Sequence, residues 1–157
     1  MNVVEFRAAL PNELSLLEEL QRRTAMVSKY REQILAHPDA IEIPLQVIID
    51  GCARVAVDAD GRIVGFSIVL PAADRLAELD GLFVEPEFTR RGVGRALLED
   101  AFSIARAQGV RRLEVTSNLE AVGFYEKIGF VGDGPVATRF ASALRMHIDL
   151  NPGTLTS

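Results

Sequence analysis

The sequence is poor in the residues that form disulfides, bind metal ions and cross membranes. One cysteine and two histidines occur in 157 residues, so no internal disulfide can form and no cluster has the spacing of metal ligands. No apolar run approaches the roughly eighteen residues that a membrane helix needs. The N-terminus lacks the charged start and apolar core of a signal peptide. These absences predict a cytoplasmic protein that binds neither a metal nor a membrane.

Positive charge is also scarce. The 17 Lys and Arg residues are outnumbered by 22 Asp and Glu residues, which gives a net charge of −5. Non-specific nucleic-acid binding needs a broad basic face, so the charge balance argues against that function. Hydrophobic residues make up 48% and charged residues 25% of the chain, as in soluble globular proteins. We expect one domain over residues 1–150 and a polar tail over 151–157.

Hydrophobic periodicity predicts alternating strands and helices. Strands are expected at residues 3–8, 54–57, 63–70, 76–84 and 112–116, followed by one or two between 130 and 150. Helices are expected from 11 to 36, from 93 to 109 and from a capping box at 117–120 to Gly129, while 41–50 is ambiguous with the signals of a short helix. Residues 58–61 supply a hairpin turn. This order predicts an α/β domain with a mixed sheet covered on both faces.

The most informative stretch follows the strand that ends at Val84. It reads Glu85-Pro86-Glu87-Phe88-Thr89-Arg90-Arg91-Gly92-Val93-Gly94-Arg95. Two glycines one residue apart let backbone N–H groups approach an anion, and the helix start adds unpaired N–H groups and a partial positive charge. Three arginines reinforce this preference. The stretch predicts a phosphate or pyrophosphate site.

One rival interpretation is the dinucleotide fingerprint G-x-G-x-x-G, with Glu114 as the ribose-binding acid. In this sequence Leu97 replaces the third glycine, and Pro86 with six further residues separates the strand from Gly92. The fingerprint turn follows its strand directly. The nicotinamide-binding hypothesis is therefore the weaker one.

Two motifs resemble those of the GNAT N-acetyltransferase superfamily. Val84-Glu85-Pro86 followed by Thr89–Gly94 resembles its acyl-CoA loop, Gln/Arg-x-x-Gly-x-Gly/Ala, except that Thr89 replaces the usual Gln or Arg. Asn118–Phe130 is similar to its Asn-x-x-Ala-x-x-Phe-Tyr-x-x-x-Gly-Phe signature. The resemblance implies a mixed, mostly antiparallel sheet of six to seven strands with about four helices on both faces, an α/β fold of the α+β type.

The resemblance also implies that acetyl-CoA is the co-substrate and indicates which residues bind it. Pantetheine would pair with main-chain groups in a wedge between splayed strands, where Gly81 predicts a bulge or a close approach. The implied binding residues are Phe83, Val84, Thr89, Arg90, Arg91, Gly92, Val93, Gly94, Arg95 and Asn118. Tyr125 would protonate the departing thiolate, because a phenol with a pKa of about 10 is protonated at neutral pH.

An amine that attacks a thioester must first lose its proton, so a general base would help. Glu78 matches the position of a catalytic Glu found in some members of the family. Asp80 points to the same face of an extended strand. Asp80 is therefore an alternative base, either directly or through water.

The leading hypothesis is an enzyme that transfers an acetyl group to a primary amine of a small molecule or peptide by direct attack in a ternary complex. The acceptor would be set by residues 24–51. Basic residues in and just before this region favour an anionic acceptor or form a solvated helix face: Arg22, Arg23, Lys29 and Arg31. An acyl-CoA sensing domain without turnover is the alternative, and a homodimer is one option for the oligomeric state.

Overall fold

A computed structural model describes residues 4–150 as seven strands and five α-helices. The strands are β1 (Glu5–Ala8), β2 (Ala53–Val57), β3 (Ile63–Ala73), β4 (Leu76–Val84), β5 (Arg112–Asn118), β6 (Val131–Ala137) and β7 (Ser142–Asp149). The helices are α1 (Leu14–Met26), α2 (Arg31–Ala36), α3 (Leu45–Ile49), α4 (Val93–Ala107) and α5 (Val122–Ile128). Short 3-10 helices lie at Pro11–Glu13, Pro38–Ile41 and Pro86–Phe88.

The strands form one sheet in the order β1-β2-β3-β4-β5-β7-β6. The β4–β5 pair is parallel, and the β1–β2, β2–β3, β5–β7 and β6–β7 pairs are antiparallel. Parallel neighbours need a crossover connection, and α4 lies in the chain between β4 and β5. The expected mixed, mostly antiparallel sheet is therefore confirmed, with five α-helices instead of about four.

Within the described residues the chain divides into two compact units. The first comprises residues up to Ile68 together with Gly81–Asp100. Its core includes four buried side chains, with apolar residues from β1, β4 and the following 3-10 helix packed against them. The four are Ala56, Val64, Val93 and Leu97. Val93 is the first residue of α4, so burial of its side chain fixes where this helix begins.

Gly65 on β3 has no room for a side chain. A Cβ atom at this position would lie 2.9 Å from the main-chain oxygen of Phe83 and 2.8 Å from a methyl carbon of Leu97. Gly81 on β4 is similarly restricted, because a Cβ there would lie 2.8 Å from the ring of Phe83. That ring in turn packs at 5.1 Å from the ring of Phe66. The nearest neighbour of Gly81 is thus a side chain of its own strand, whereas the sequence pointed to a bulge, another backbone or a ligand.

The second unit comprises Val69–Asp80 and the described residues from Ala101 onward. On β5, Leu113, Val115 and Ser117 are buried, whereas Glu114 and Thr116 between them are not. This period of two is that of a strand with one buried face. Met146 of β7 is also fully buried, and the rings of Phe102 and Phe130 lie 6.1 Å apart. The alternation leaves the polar side chains of this unit together on the opposite face.

Several predicted boundaries are confirmed. β4 spans residues 76–84 as expected, α4 begins at Val93, and Gly129 ends α5 with a φ of 122°. In the hairpin between β2 and β3, Gly61 has a φ of 81° and its N–H donates to the carbonyl of Asp58 at 3.0 Å. Val3 and the polar tail 151–157 lie outside the described residues.

The helix predicted across residues 11–36 is interrupted. α1 ends at Met26 and α2 starts at Arg31. The hydroxyl of Ser28 donates to the carbonyl of Ala25 at 2.8 Å and accepts from the N–H of Tyr30 at 3.1 Å. Such local side-chain bonds compete with the helix backbone, which explains the break.

The predicted capping box at residues 117–120 is wrong. Ser117 and Asn118 belong to β5, where they pair with Leu144 and Ala143 of β7. α5 starts only at Val122. The antiparallel ladder with β7 therefore outcompetes the local capping signal.

Candidate active site

The turn between β4 and α4 has the conformation of an anion site. After the 3-10 helix, Arg90 and Gly92 have left-handed backbones with φ of 66° and 83°. The first helical bond joins the N–H of Ala96 to the carbonyl of Gly92 at 3.0 Å. Within residues 4–150, no main-chain or side-chain acceptor binds the N–H groups of 90–95. Consecutive free N–H groups at a helix start form a cradle for an anion. We call Glu85–Arg95 the cradle turn.

Arginine side chains add positive charge to the cradle turn. Arg90, Arg91 and Arg95 are all exposed. The guanidinium of Arg91 lies 5.2 Å from the centre of the Phe88 ring, a distance at which a cation is attracted to an aromatic face. Thr89 is exposed, and its hydroxyl donates to the carbonyl of Pro86 at 2.9 Å. The threonine therefore closes the 3-10 helix rather than offering a long donor.

Glu85 anchors the cradle turn from inside the first unit. Its side chain is only 2% exposed, and Arg23 of α1 donates to both of its oxygens, at 2.9 and 2.6 Å. Arg62 adds a third bond at 3.3 Å. Burial alone would raise the pKa of Glu85, but the hydrogen bonds and positive charges of the two arginines lower it overall. The carboxylate is therefore ionised and fixed.

Asn118 lies at the end of β5 in the second unit. Its side-chain oxygen accepts from the N–H of Ala121 at 2.9 Å, and its main-chain carbonyl accepts from the hydroxyl of Ser117 at 2.8 Å. These bonds close a tight turn between the strand and α5. The amide nitrogen of this exposed side chain has no partner within residues 4–150, so it is free to donate to a ligand.

Tyr125 lies in the middle of α5 and is 7% exposed. Its ring makes edge contacts with Phe124 at 5.2 Å and with Phe130 at 5.1 Å. Desolvation by burial raises the pKa of Tyr125 to about 12. The phenol is therefore protonated throughout the neutral and mildly alkaline range, as a general acid must be.

The polar face of the second unit holds an arginine between acids. Arg145 of β7 donates to both oxygens of Glu78, at 2.7 and 3.1 Å, and to one oxygen of Glu114 at 2.8 Å. Its third acceptor is the hydroxyl of Thr116 at 2.8 Å. The side chain of Asp80 has no hydrogen bond or ion pair to any other residue of the described chain. We call Glu78, Asp80, Glu114 and Arg145 the carboxylate face.

The environments of the two candidate bases differ. Both oxygens of Glu78 are engaged by Arg145. The side chain of Asp80 reaches solvent, but partial desolvation and then the negative charge of Glu78 raise its pKa. Proton acceptance improves as the pKa of a carboxylate approaches the working pH. Asp80 thus has both a free lone pair and an environment that favours protonation.

Pairing along β4 and β5 covers only part of these strands. The parallel register runs from Leu76↔Arg112 to Leu79↔Val115. β4 nevertheless continues to Val84 and β5 to Asn118. The paired residues are therefore only part of each strand, and the splayed strands expected from the sequence stay a prediction.

The remaining reactive side chains do not form a second centre. Cys52 is partly buried, and desolvation together with the charge of Asp50 raises its thiol pKa, which disfavours a nucleophilic thiolate. His147 lies 2.8 Å from Asp133 through Nδ1. Across the described range 4–150, no three His, Cys, Asp or Glu residues could hold a metal ion, and no helix is long and apolar enough to cross a bilayer.

One protein-family model matches most of the chain. The model of the acetyltransferase (GNAT) family matches residues 16–130, a range that includes the cradle turn, Asn118 and Tyr125. The chain belongs to the GNAT family.

Curated relatives of this GNAT chain carry N-acetyltransferase names. N-acetyltransferase family 8 member 3 of Rattus norvegicus is 35% identical over 127 residues, which are 74% of this chain and 55% of the relative. The ribosomal protein bS18-alanine N-acetyltransferase of Salmonella typhimurium is 41% identical over 80 residues, 49% of this chain and 53% of the relative. The chain thus spans about half the length of these curated relatives.

Solved structures support the GNAT fold over nearly the whole chain. The PaiA N-acetyltransferase of Thermoplasma acidophilum, determined in complex with coenzyme A, matches with a TM-score of 0.76 and 23% identity. The match covers 94% of this chain and 99% of that one. At this identity the likeness establishes the fold.

The GNAT motifs pointed to the cradle turn, Asn118 and Tyr125, but they missed the arginines that bind the nearby acids. Arg23 was expected on a solvated or acceptor-binding face, whereas it binds Glu85. A signal was present in the sequence, because Glu85 is a charged residue directly after an apolar strand. No comparable signal marked Arg145, which is 67 residues from Glu78.

Proposed function

We propose that this GNAT protein is an N-acetyltransferase that moves the acetyl group of acetyl-CoA to a primary amine by direct attack in a ternary complex. The observation that carries the proposal is the cradle turn, with left-handed Arg90 and Gly92 and free N–H groups over 90–95. Its place after β4 matches the acyl-CoA loop of the family. The N-acetyltransferase names of the curated relatives support the same reaction.

The cradle turn would hold the diphosphate of the coenzyme. The free amides of 90–95 supply neutral donors, and Arg90, Arg91 and Arg95 supply charge. Thr89 would contribute through its main chain, since its hydroxyl is bound to Pro86. Main-chain groups of Phe83 and Val84 would pair with pantetheine, as the family resemblance implies. Acetyl-CoA is thus a co-substrate, bound chiefly by backbone and arginine groups.

Residues of the second unit would carry the acid and base roles. Tyr125 would donate its phenolic proton to the departing thiolate, and its raised pKa keeps that proton available. Asn118 would donate through its free amide nitrogen to the pantetheine or phosphate portion of the coenzyme. The base that deprotonates the acceptor would be a carboxylate of β4, either Glu78 or Asp80.

The acceptor class we propose is a cationic primary amine. On the carboxylate face Arg145 pairs with Glu78 and Glu114, and Arg112 also pairs with Glu114. Asp80 is left without a cationic partner among the described residues, and its negative charge attracts an ammonium group. The Salmonella relative is named for an alanine amine of a ribosomal protein. Peptides with free amines therefore head the acceptors to be tested.

The test is a thiol-release assay. Pure protein is incubated with acetyl-CoA and a panel of free-amine peptides, polyamines, amino acids and aminoglycosides. We expect thiol release that depends on one class of amine and a product heavier by one acetyl group. Calorimetric binding of acetyl-CoA without thiol release from any amine would contradict the proposal and favour an acyl-CoA sensing domain.

A further inference from the structure

We propose that Asp80 is the group that accepts the proton of the acceptor ammonium, and that Arg145 is a positioning residue that keeps Glu78 out of this role. The assignment rests on the proposed N-acetyltransferase function. It concerns two carboxylates two residues apart on one strand, which share a face but have different partners.

Glu78 is held at both ends of its carboxylate. Arg145 donates to one oxygen at 2.7 Å and to the other at 3.1 Å. Glu114 and Thr116 each accept one further hydrogen bond from the two terminal nitrogens of the same guanidinium and so fix its plane. To accept a proton, Glu78 would have to give up a charge-assisted hydrogen bond. The contact therefore leaves neither oxygen of Glu78 without an arginine partner.

Asp80 is free of such contacts. Its side chain has no hydrogen-bond or ion-pair partner in the part of the chain that is described, and it reaches solvent. An ammonium or a bridging water can therefore approach its oxygens. Partial desolvation and the charge of Glu78 raise its pKa, which brings the carboxyl closer to the pH at which it must take up a proton.

The arginines and the histidine on β5 and β7 bind residues other than Asp80. Besides Glu78 on its own strand, β5 presents Arg112 and Glu114, and β7 presents Arg145, His147 and, opposite Arg112, Asp149. Both arginines are bound to acids other than Asp80, and His147 is bound to Asp133. The adjacent strand β3 (Ile63–Ala73) contains no titratable residue. No cation within the described residues competes for the carboxylate of Asp80.

The chemical step balances with these groups. Asp80 takes one proton from the ammonium, and the freed nitrogen lone pair forms a C–N bond with the thioester carbonyl carbon. As the C–S bond breaks, sulfur leaves with the bonding pair and takes the phenolic proton of Tyr125. The second proton of the attacking nitrogen restores the phenol through solvent, and Asp80 returns its proton to solvent. The products are the amide, free coenzyme A and one proton.

Kinetics of single variants test the base. With the amine that gives the most thiol release in the panel, Asp80→Asn should lower kcat/KM by roughly 10²-fold at neutral pH. The deficit should shrink as the pH rises, because the amine then loses its proton without help. Glu78→Gln should lower kcat/KM by less than about tenfold and keep the shape of the wild-type pH profile.

A double variant tests the positioning role of Arg145. In an Asp80→Asn background, Arg145→Gln frees Glu78 to act as a substitute base, so kcat/KM should recover by several-fold. Arg145→Lys, which retains a cation, should recover less. Arg112→Gln is the matched control, because Arg112 binds Glu114 but not Glu78, and it should give no recovery. A purely structural Arg145 would only lower activity further.

A titration provides a readout that needs no turnover. By carbon-detected NMR of the coenzyme-free protein, Asp80 should titrate above the ordinary aspartate pKa of about 3.9, and Glu78→Gln should move that pKa downward. A pKa of Asp80 at or below 3.9 would overturn the assignment. So would an Asp80→Asn variant with at least half of wild-type kcat/KM, or a double variant less active than Asp80→Asn alone. A wild-type protein that binds acetyl-CoA but acetylates no amine overturns the proposed function itself.

Discussion

The cradle turn and the carboxylate face both join glutamate to arginine, but in opposite proportions. In the cradle turn one buried acid, Glu85, lies between two arginines. On the carboxylate face one arginine, Arg145, lies between two glutamates. The first arrangement is balanced by Glu87, which also pairs with Arg62, so the positive charge of the turn comes from the exposed Arg90 and Arg91 beside the free amides. The second leaves a free carboxylate over.

This contrast shows that the hydrogen-bond partner of a carboxylate determines whether its oxygens are available for chemistry. Glu85 and Glu78 are both bound by arginine at two oxygens, so both side chains are held in place. Asp80 lacks such a partner and keeps its lone pairs available. The surplus charges suit the two substrates of the proposed reaction, since coenzyme A is an anion and the acceptor amine is a cation.

The largest expected effect is a fall in the rate of the chemical step, while coenzyme binding at the cradle turn stays unchanged. Tyr125→Phe removes only the phenolic hydroxyl and keeps the ring that packs on Phe124 and Phe130. We expect kcat to fall by about 10²-fold or more, because the thiolate then leaves without an acid. Calorimetry should give an acetyl-CoA affinity within about twofold of wild type. A parallel loss of affinity would contradict the separation.

The next effect tests whether Glu85 supports the cradle turn. Glu85→Gln leaves Arg23 and Arg62 without their buried anion and should reduce the free energy of unfolding by about 2 kcal/mol. This is below the value for fully buried pairs, because both arginines are about half exposed. The KM for acetyl-CoA should rise more than kcat falls.

The matched control for Glu85→Gln is Glu87→Gln. Glu87 also pairs with Arg62, but its side chain is 60% exposed, so we expect a change below about 0.5 kcal/mol. Denaturant unfolding measures both variants. Equal losses for the two variants would show that burial of Glu85 is irrelevant to stability.

The pH dependence of the free energy of unfolding provides a second test of the role of Glu85. Because the pKa of Glu85 is lower in the folded chain, its contribution is complete above the ordinary glutamate pKa of about 4.3. The contribution is lost as the pH falls through the lower, folded value. The stability difference between wild type and Glu85→Gln should therefore narrow on acidification below about pH 4. Denaturant midpoints measured across this range test it, and a widening difference would contradict it.

The smallest effect concerns the backbone of the cradle turn. Arg90 adopts a φ of 66°, a left-handed conformation that costs a residue with a side chain about 1 kcal/mol. Arg90→Gly should relieve this cost and raise the free energy of unfolding by up to that amount. Acetyl-CoA affinity should fall a few-fold because a cation is lost. Arg90→Ala is the control, since it loses the cation without gaining the backbone freedom.

Local signals in the sequence predicted much of the architecture. The strand at 76–84 followed from its apolar run, and the start of α4 at Val93 followed from glycines beside a helical pattern. The family motifs then pointed to Tyr125 and Asn118. These features depend on residues close together in the chain, so spacing alone was informative.

The errors have a different physical origin. The capping signal at Ser117 lost to strand pairing with Leu144, 27 positions further along the chain. The partners of Glu85 and Glu78 are 62 and 67 residues away. No spacing rule in a single sequence predicts such distant contacts. The different surroundings of Glu78, Asp80 and Glu85 were therefore visible only in the folded chain.

The free amides of the cradle turn have a practical consequence. Amide protons without an acceptor exchange with deuterated solvent far faster than those of a helix interior. Any anion that occupies the turn should slow that exchange, and mass spectrometry of a proteolytic fragment spanning Arg90–Arg95 would detect it. Deuterium exchange of this fragment would therefore report whether the cradle turn is occupied, even while the acceptor amine is unidentified.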